Sequence, residues 1–210
     1  MTAPITAEWS PHRALWVGWP SHAELWEDNL EPAQAEVEAL VHALAGPGRE
    51  QMRLMVGNEE ALADARARFD GVAGVEVVAG RFGDIWLRDT GPIFGAGSRS
   101  AQAFRFNGWG GKYELPHDDE VADLIGARSG VALTRHDVVL EGGALYHDGA
   151  GTVLTTRQCL LNPNRNPSWN QDEAPAAQEP AQSAAPEAPR SEEHTSELQS
   201  RVDISYAVFC

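Results

Sequence analysis

Short apolar runs alternate with amphipathic segments over residues 14–80, and this alternation constrains the fold more than any other feature of the chain. The runs ALWVGWP, MRLMVG and VEVVAG, which begin at residues 14, 52 and 75, have the length and composition of buried strands. The segments between them repeat apolar side chains at helical spacing. Strands that alternate with helices predict an α/β fold.

Each predicted helix has an inner face and a boundary signal. In the first helix, Glu31 to Ala45, this face is expected to comprise Val37, Leu40, Val41 and Leu44. The glycines of Gly46-Pro47-Gly48 end that helix, and Asn58 is expected to cap the next one. The second helix is expected to bury Leu62, Ala65 and Phe69.

Strand and helix patterns continue beyond residue 100. AQAFRFN at 101–107 and VALTRHDVVL at 131–140 are expected to form strands. Residues 118–127 are expected to form a helix with Val121, Leu124 and Ile125 inward. A hairpin is expected around Asp148-Gly149.

Charge limits the class of partner. The formal net charge is −15 at pH 7, which argues against nucleic acid and anionic membranes and favours a small cationic substrate. The N-terminus lacks the features of a signal peptide, and no run of 18 apolar residues occurs, so a cytoplasmic location is expected. The 7 histidines have no metal-ligand spacing, so neither a metal nor a cofactor is predicted.

Composition changes after residue 170. Pro175, Pro180, Pro186 and Pro189 interrupt a stretch of Ala, Gln and Glu that cannot bury an apolar face. Residues 190–200, RSEEHTSELQS, resemble one translated frame of a sequencing adapter. We therefore divide the chain into a folded part, residues 1–170, and a disordered or artefactual tail, residues 171–210.

The segment GDIWLRDTGP at 83–92 combines two aspartates with a tryptophan. A carboxylate beside an indole suits an organic cation, because the carboxylate accepts two N–H bonds from a guanidinium and the indole covers its face. On this interpretation the turn at Gly91-Pro92 places Asp89 and Thr90 in a loop at the end of an extended segment. The alternative is structural: Asp89 pairs with Arg88 or Arg81, and Trp86 belongs to the core.

Three further segments carry polar groups. FRFNGWGGKY at 104–113 offers Trp109 between glycines that permit close backbone approach, or forms only a tight turn. Glu141 of LEGG ends a predicted strand, where it could exchange a proton or bind a cation. In CLLNPNRNP at 159–167, Cys159 is expected to be a buried structural thiol, and Arg165 to lie in a loop without an acidic partner.

Five motifs, in this order, resemble the agmatine deiminase family, the bacterial peptidyl-arginine deiminase type of the guanidine-modifying superfamily. They are LWVGWP, DIWLRDTGPIF, FRFNGWGGKY, LEGGALYHDGAGTVLTT and CLLNPNRNP. The resemblance implies the N-terminal part of a five-bladed α/β propeller (pentein) of repeated ββαβ units, lacking its C-terminal blades. It also implies hydrolysis of agmatine to N-carbamoylputrescine, a step towards putrescine, and allows a homo-oligomer of the full-length protein.

The same resemblance assigns roles to individual residues. Asp89 matches the aspartate that holds the guanidinium, and Trp86 matches the tryptophan that lines the substrate channel. Glu141 matches a second active-site acid. Asp84 and Trp109 are weaker candidates for shaping the pocket near the far end of the substrate.

The family's second-half histidine, in an Asp-Gly-His context, and its C-terminal nucleophilic cysteine have no counterpart in this sequence. Cys159 belongs to a first-half motif, and Cys210 lies in the tail. Because the covalent chemistry needs a thiolate and its acid/base partner, the chain as written is expected to be inactive. Missing blades would also leave strand edges unpaired.

Other functions compete with this interpretation. A peptidyl-arginine or free-arginine deiminase of the same superfamily would differ in what meets the far end of the substrate. A binding module could retain guanidinium or polyamine ligands without chemistry. A glycosidase would need two carboxyl groups about 5 to 9.5 Å apart across a sugar-sized cleft.

Overall fold

The computed structural model describes residues 7–95, 100–150 and 152–169. The tail predicted for residues 171–210, with its adapter-like segment, therefore lies outside the described residues. The described part has an α/β architecture with two three-stranded sheets, the helices that connect their strands, and a two-stranded hairpin.

The first sheet contains three parallel strands in the order β1-β2-β3. These are β1, Leu15–Trp19, β2, Met52–Val56, and β3, Val75–Ala79. Helices connect them: α1, Ala23–Trp26, and α2, Leu30–Ala45, follow β1, while α3, Glu59–Phe69, follows β2. The three predicted strands and both predicted helices of this region are confirmed.

Alternation along each strand divides its side chains between two hydrophobic clusters. Leu15 and Trp19 pack with α2 and α3 on one face of the sheet, whereas Trp16 packs on the other face with Met55 and Leu87. A parallel sheet needs both faces covered, because its connections cross over each face. The second face carries the segment that includes Asp84, Trp86 and Asp89.

Asn58 caps α3 as predicted, since its Oδ1 accepts a hydrogen bond of 2.9 Å from the Ala61 N–H. Leu62, Ala65 and Phe69 are all buried, as expected. In α2, however, the prediction for Leu40 is wrong, because its side chain is 47% exposed. The buried stripe instead includes Gln34, whose Nε2 donates to the Pro20 carbonyl at 2.9 Å.

The second sheet has the order β4-β5-β6. After the one-turn helix α4, Leu87–Thr90, come β4, Ile93–Phe94, and β5, Ser100–Arg105, which pair antiparallel. The turn α5, Gly108–Gly111, and the helix α6, Val121–Ser129, then lead to β6, Ala132–Val139, which is parallel to β5. Val121 and Ile125 of α6 are fully buried, as predicted.

The predicted hairpin around Asp148-Gly149 is confirmed. Its strands are β7, Tyr146–His147, and β8, Val153–Leu154, which pair antiparallel. The short helix α7, Arg157–Leu160, follows. Within the described ranges, no helix is long and apolar enough to cross a membrane.

We predict that the two leucines Leu54 and Leu40 differ sharply in their contribution to stability. Leu54, at the centre of β2, is fully buried, so Leu54→Ala should lower the free energy of unfolding by about 2–5 kcal/mol. Leu40→Ala should lower it by less than about 1 kcal/mol, because little apolar surface is lost. Urea denaturation of both variants measures the difference, and equal losses would contradict the assignment of the buried face.

Candidate active site

A cavity of about 740 Å³ lies among the segments that follow β1, β3, β5 and β8. Its residues come from four of the five motifs and from the helix that follows the first one, together with Leu115 and Gln158. The lining comprises Leu25, Trp26, Asp84, Trp86, Asp89, Trp109, Lys112, Tyr113, Leu115, Thr156, Gln158, Cys159, Asn162 and Arg165. Four of the five predicted site residues, Asp84, Trp86, Asp89 and Trp109, therefore line one cavity.

Asp89 lies on the helical turn α4 and is 7% exposed. Its Oδ2 accepts a hydrogen bond of 3.0 Å from the Trp109 indole N–H, and its Oδ1 accepts one of 2.9 Å from the Gly143 N–H. The structural alternative, in which Arg88 or Arg81 holds this carboxylate, is not what these contacts show. Arg88 forms an ion pair with Glu8, and Arg81 lies 3.7 Å from Glu120.

The expectation of an extended chain through Leu87 is wrong, and the loop expected at Asp89 and Thr90 is a helical turn over residues 87–90. The Asp89 and Thr90 N–H groups donate to the Trp86 carbonyl at 3.0 and 3.2 Å, and the Thr90 hydroxyl donates to it as well. The turn directs Asp89 towards Trp109 rather than along the strand face of Leu87. Local alternation could not reveal this, because the turn depends on packing of Leu87 into the core.

Burial controls the charge state of Asp89. Desolvation raises the pKa of its carboxyl above the usual value, while the hydrogen bonds from Trp109 and Gly143 oppose that rise. The nearby Glu141 carboxylate raises the pKa further, and Arg88 lowers it. A cation in the cavity would favour the ionised form, so binding and ionisation support each other.

Glu141 follows β6 and is 2% exposed. Its Oε1 accepts a hydrogen bond of 2.7 Å from Arg165 Nε, so the expectation that Arg165 has no acidic partner is wrong. Its Oε2 is buried and has no hydrogen-bond partner within the described part of the chain. A buried acceptor without a partner is costly, so this oxygen is suited to a donor that a ligand brings.

The glycines of the Glu141-Gly142-Gly143 motif allow it to contact α4. A Cβ atom at Gly142 would overlap the Arg88 carbonyl, and one at Gly143 would overlap Asp89 Oδ1. Only glycine permits this approach, which brings the Gly143 N–H to the Asp89 carboxylate. The backbone from Glu141 to Gly143 therefore connects the Glu141 carboxylate to that of Asp89.

Trp109 takes its position from an unusual turn. It has a left-handed backbone with φ 57°, between Gly108 and Gly110, which also have positive φ. The Asn107 side chain accepts a 2.9 Å hydrogen bond from the Gly110 N–H and stabilises this turn. The segment is thus a tight turn, and its Trp109 also lines the cavity, so it combines the structural and the functional interpretation.

Asp84 lies on the same wall, next to Trp86. Its Oδ2 accepts a 2.7 Å hydrogen bond from the Trp86 indole N–H, and burial raises the pKa of its carboxyl. The Trp86 and Trp109 rings meet edge to face, with centroids 6.5 Å apart. Two carboxylates and two indoles therefore form one acidic, aromatic surface, which suits a planar cation.

Two residues that sequence reasoning did not place in the site also line the cavity. Cys159 is partly exposed on α7, so the expectation of a buried structural thiol is wrong. Lys112, like Arg165, contributes a cation to the wall that carries Asp84 and Asp89. No local sequence signal marks either residue, because their approach depends on how α7 and α5 pack.

Asp118 stabilises the backbone at Gly83 and Asp84, although its own side chain does not line the cavity. It is 2% exposed, and its Oδ1 accepts hydrogen bonds from the Gly83 and Asp84 N–H groups at 2.8 and 3.4 Å. Desolvation, with help from the Asp84 and Asp119 carboxylates, raises the pKa of Asp118 to about 6. Sequence reasoning missed this residue, since it lies more than 30 positions from the segment that it holds.

Among residues 7–95, 100–150 and 152–169, no group of three or more His, Cys, Asp or Glu side chains could hold a metal ion. The described cavity offers carboxylates, indoles, a thiol and two cationic side chains, besides the polar groups of Tyr113, Thr156, Gln158 and Asn162. This combination suits recognition of a small organic cation.

The described residues thus form an α/β fold with a cavity walled by acidic and aromatic side chains, and comparison with known proteins identifies the family. The model of the Porphyromonas-type peptidyl-arginine deiminases matches residues 4–179. The agmatine deiminase of Stutzerimonas stutzeri is 39% identical over 182 residues, which are 82% of this chain and 48% of that protein. The chain belongs to this deiminase family.

Solved structures of the family share the fold. The agmatine deiminase of Enterococcus faecalis matches with a TM-score of 0.72 and 30% identity over 82% of this chain and 48% of that one. A substrate-bound agmatine deiminase of C. jejuni gives a TM-score of 0.72 and 29% identity over 82% of this chain and 51% of that one. The chain spans about half the length of the curated relatives it matches.

The protonation of Asp118 gives a pH prediction. Its raised pKa means that the native state binds more protons than the unfolded state between about pH 4 and pH 6. Its contribution to stability is therefore fully present below about pH 4 and lost as the pH rises through 6. Asp118→Asn, which keeps the acceptor oxygen, should raise the Tm at pH 7 by about 4 °C or more and change it little at pH 4.

Scanning calorimetry at pH 4, 5, 6 and 7 measures this effect. Asp70→Asn is the matched control, because Asp70 is exposed and is not among the groups that raise the pKa of Asp118, so it should give no such pH-dependent gain. A gain for Asp118→Asn that is equal at all four pH values would contradict the assignment.

Proposed function

We propose that this chain is the guanidinium-recognising part of an agmatine deiminase, which hydrolyses agmatine to N-carbamoylputrescine and ammonia. The observation that carries the proposal is the buried Asp89 carboxylate in a cavity walled by Trp86 and Trp109. A buried carboxylate is expensive without a cationic partner, and a guanidinium supplies one. The agmatine deiminases among the relatives support this choice of substrate.

Asp89 can accept from two guanidinium N–H groups. Each of its oxygens uses one lone pair for Trp109 or Gly143 and keeps one for a ligand. Glu141 Oε2, which is buried without a partner in the described residues, is a further acceptor for the same cation or for a proton during the reaction. The indoles of Trp86 and Trp109 would cover the cation and exclude water.

The proposed reaction passes through a covalent intermediate and needs no reactant besides the substrate and water. A cysteine thiolate adds to the guanidinium carbon, ammonia leaves with a proton, and an amidino thioether remains. Water then adds to that carbon, and the thiolate is released with N-carbamoylputrescine. This chain's residues bind and orient the guanidinium; the nucleophile and its histidine partner are expected from a second half that the 210 residues do not match.

We therefore propose that residues 1–170 form the first part of a pentein propeller, that residues 171–210 are not native sequence, and that the chain alone is inactive. In the full-length protein, a cytoplasmic enzyme of putrescine synthesis is expected. Sequencing of genomic DNA across the codons for 168–210, with reads free of adapter, tests the boundary. A frame that continues into an Asp-Gly-His segment and a terminal cysteine supports it, whereas an encoded Pro/Ala-rich tail with a stop after Cys210 contradicts it.

A deiminase of free or peptidyl arginine is the second candidate. Lys112 lines the cavity, and its ammonium suits a substrate carboxylate, which arginine has and agmatine lacks. The family that matches the chain also takes its description from peptidyl-arginine deiminases. Release of ammonia from agmatine, arginine and an arginyl peptide, measured in parallel on the full-length protein, separates the candidates.

Asp89→Asn should abolish recognition of the guanidinium in that protein. The amide keeps the shape of the side chain but offers one acceptor and no charge, so kcat/KM for agmatine should fall by about 100-fold or more. Asp137→Asn is the control, because Asp137 is an exposed partner of Arg105 outside the cavity. A fall of less than tenfold for Asp89→Asn would overturn the role given to this carboxylate.

A further inference from the structure

The turn at residues 162–166 contacts both halves of the candidate site. The Asn107 side chain donates to the Asn164 carbonyl at 2.9 Å, which links this turn to the one that carries Trp109. Arg165 Nε donates to Glu141 Oε1 at 2.7 Å, which links it to the second acid. A single short segment thus holds two groups that arise far apart in the sequence.

The turn is itself firmly attached. Asn166 is 6% exposed, and its side chain accepts from the Val139 N–H and donates to the Val139 carbonyl, both at 3.0 Å. The same Nδ2 donates to the Leu160 carbonyl at 3.1 Å. Asn166 therefore joins the end of β6 to α7 and holds Arg165 at a fixed place between them.

Arg165 spans the space between Glu141 and the Trp109 turn. A Cβ atom built on Gly110 would lie 3.5 Å from Arg165 Nη1 and 3.6 Å from Arg165 Cγ, so the side chain packs against Gly110. Gly110 directly follows Trp109, whose left-handed backbone needs support from its surroundings. The Arg165 guanidinium thus contacts Glu141 directly. Through Gly110 it also contacts the turn that carries Trp109, whose indole donates to Asp89.

We propose that Arg165 is a positioning residue for the guanidinium site. It occupies Glu141 Oε1 and leaves Oε2 for the ligand, and it supports the turn that keeps the Trp109 indole on Asp89. The inference rests on the proposed role of Asp89 and Glu141 as ligand-binding acids.

The test uses the hydrogen exchange of two indole N–H groups in the full 210-residue chain. Trp109 donates to Asp89 at 3.0 Å, and Trp86 donates to Asp84 at 2.7 Å, so both are hydrogen-bonded to carboxylates of the same cavity. Only Trp109 adjoins Gly110. Trp109→Phe and Trp86→Phe assign the two signals in ¹⁵N-resolved spectra.

Arg165→Met should speed exchange at Trp109 by about tenfold or more and leave Trp86 within about twofold of the unmodified chain. Arg165→Lys, which keeps the charge but not the planar fork, should lie between the two. Arg105→Met is the matched control, because Arg105 also pairs with an acid, at 3.0 Å from Asp137, but is exposed and outside the cavity. It should change neither indole.

Equal acceleration of both indoles would show a loss of global stability and would overturn the proposal, as would no change at Trp109. A second variant keeps the result clear if Arg165→Met destabilises the chain. Adding Glu141→Gln removes the unpaired buried carboxylate, so the double variant should regain Tm while exchange at Trp109 stays fast. Because no ligand is involved, this result is independent of whether agmatine is the substrate.

Discussion

The site depends on the buried carboxylate of Asp89. Its two oxygens are held by the Trp109 indole and the Gly143 N–H, so three separate motifs meet at one side chain. The hydrogen bonds partly offset the cost of removing this charge from water, and Glu141 nearby adds to that cost. The hydrogen bonds offset only part of the cost of burying the carboxylate, and a positive charge in the cavity would offset more of it.

The hydrophobic core provides the rigidity that this carboxylate requires. Leu87 is fully buried next to Asp89, within the cluster on the second face of the first sheet. Gly18 of β1 lies so close to Ile85 that its Cβ would be 2.7 Å from the Ile85 Cα. The acidic segment is thus fixed on the sheet by apolar packing on one side, while its polar groups face the cavity on the other.

Interactions outside the cavity connect its walls. Asp118 holds the backbone before Trp86, and Asn166 holds the turn that carries Arg165. Neither residue lines the cavity, and both are buried. The shape of this acidic, aromatic cavity therefore depends on buried polar groups that do not line it, so substitutions at Asp118 or Asn166 would alter the cavity walls and the local stability together.

The sequence by itself determined the strands β1–β3, β5 and β6 and the helices α2, α3 and α6, because apolar spacing and caps such as Asn58 act locally. It also indicated Asp84, Trp86, Asp89, Trp109 and Glu141 as candidates, and the resemblance gave each of them a role. Only the tertiary structure decided that Leu40 is exposed, that residues 87–90 form a helical turn, and that Arg165 pairs with Glu141. Those outcomes depend on contacts between distant segments, which no local pattern encodes.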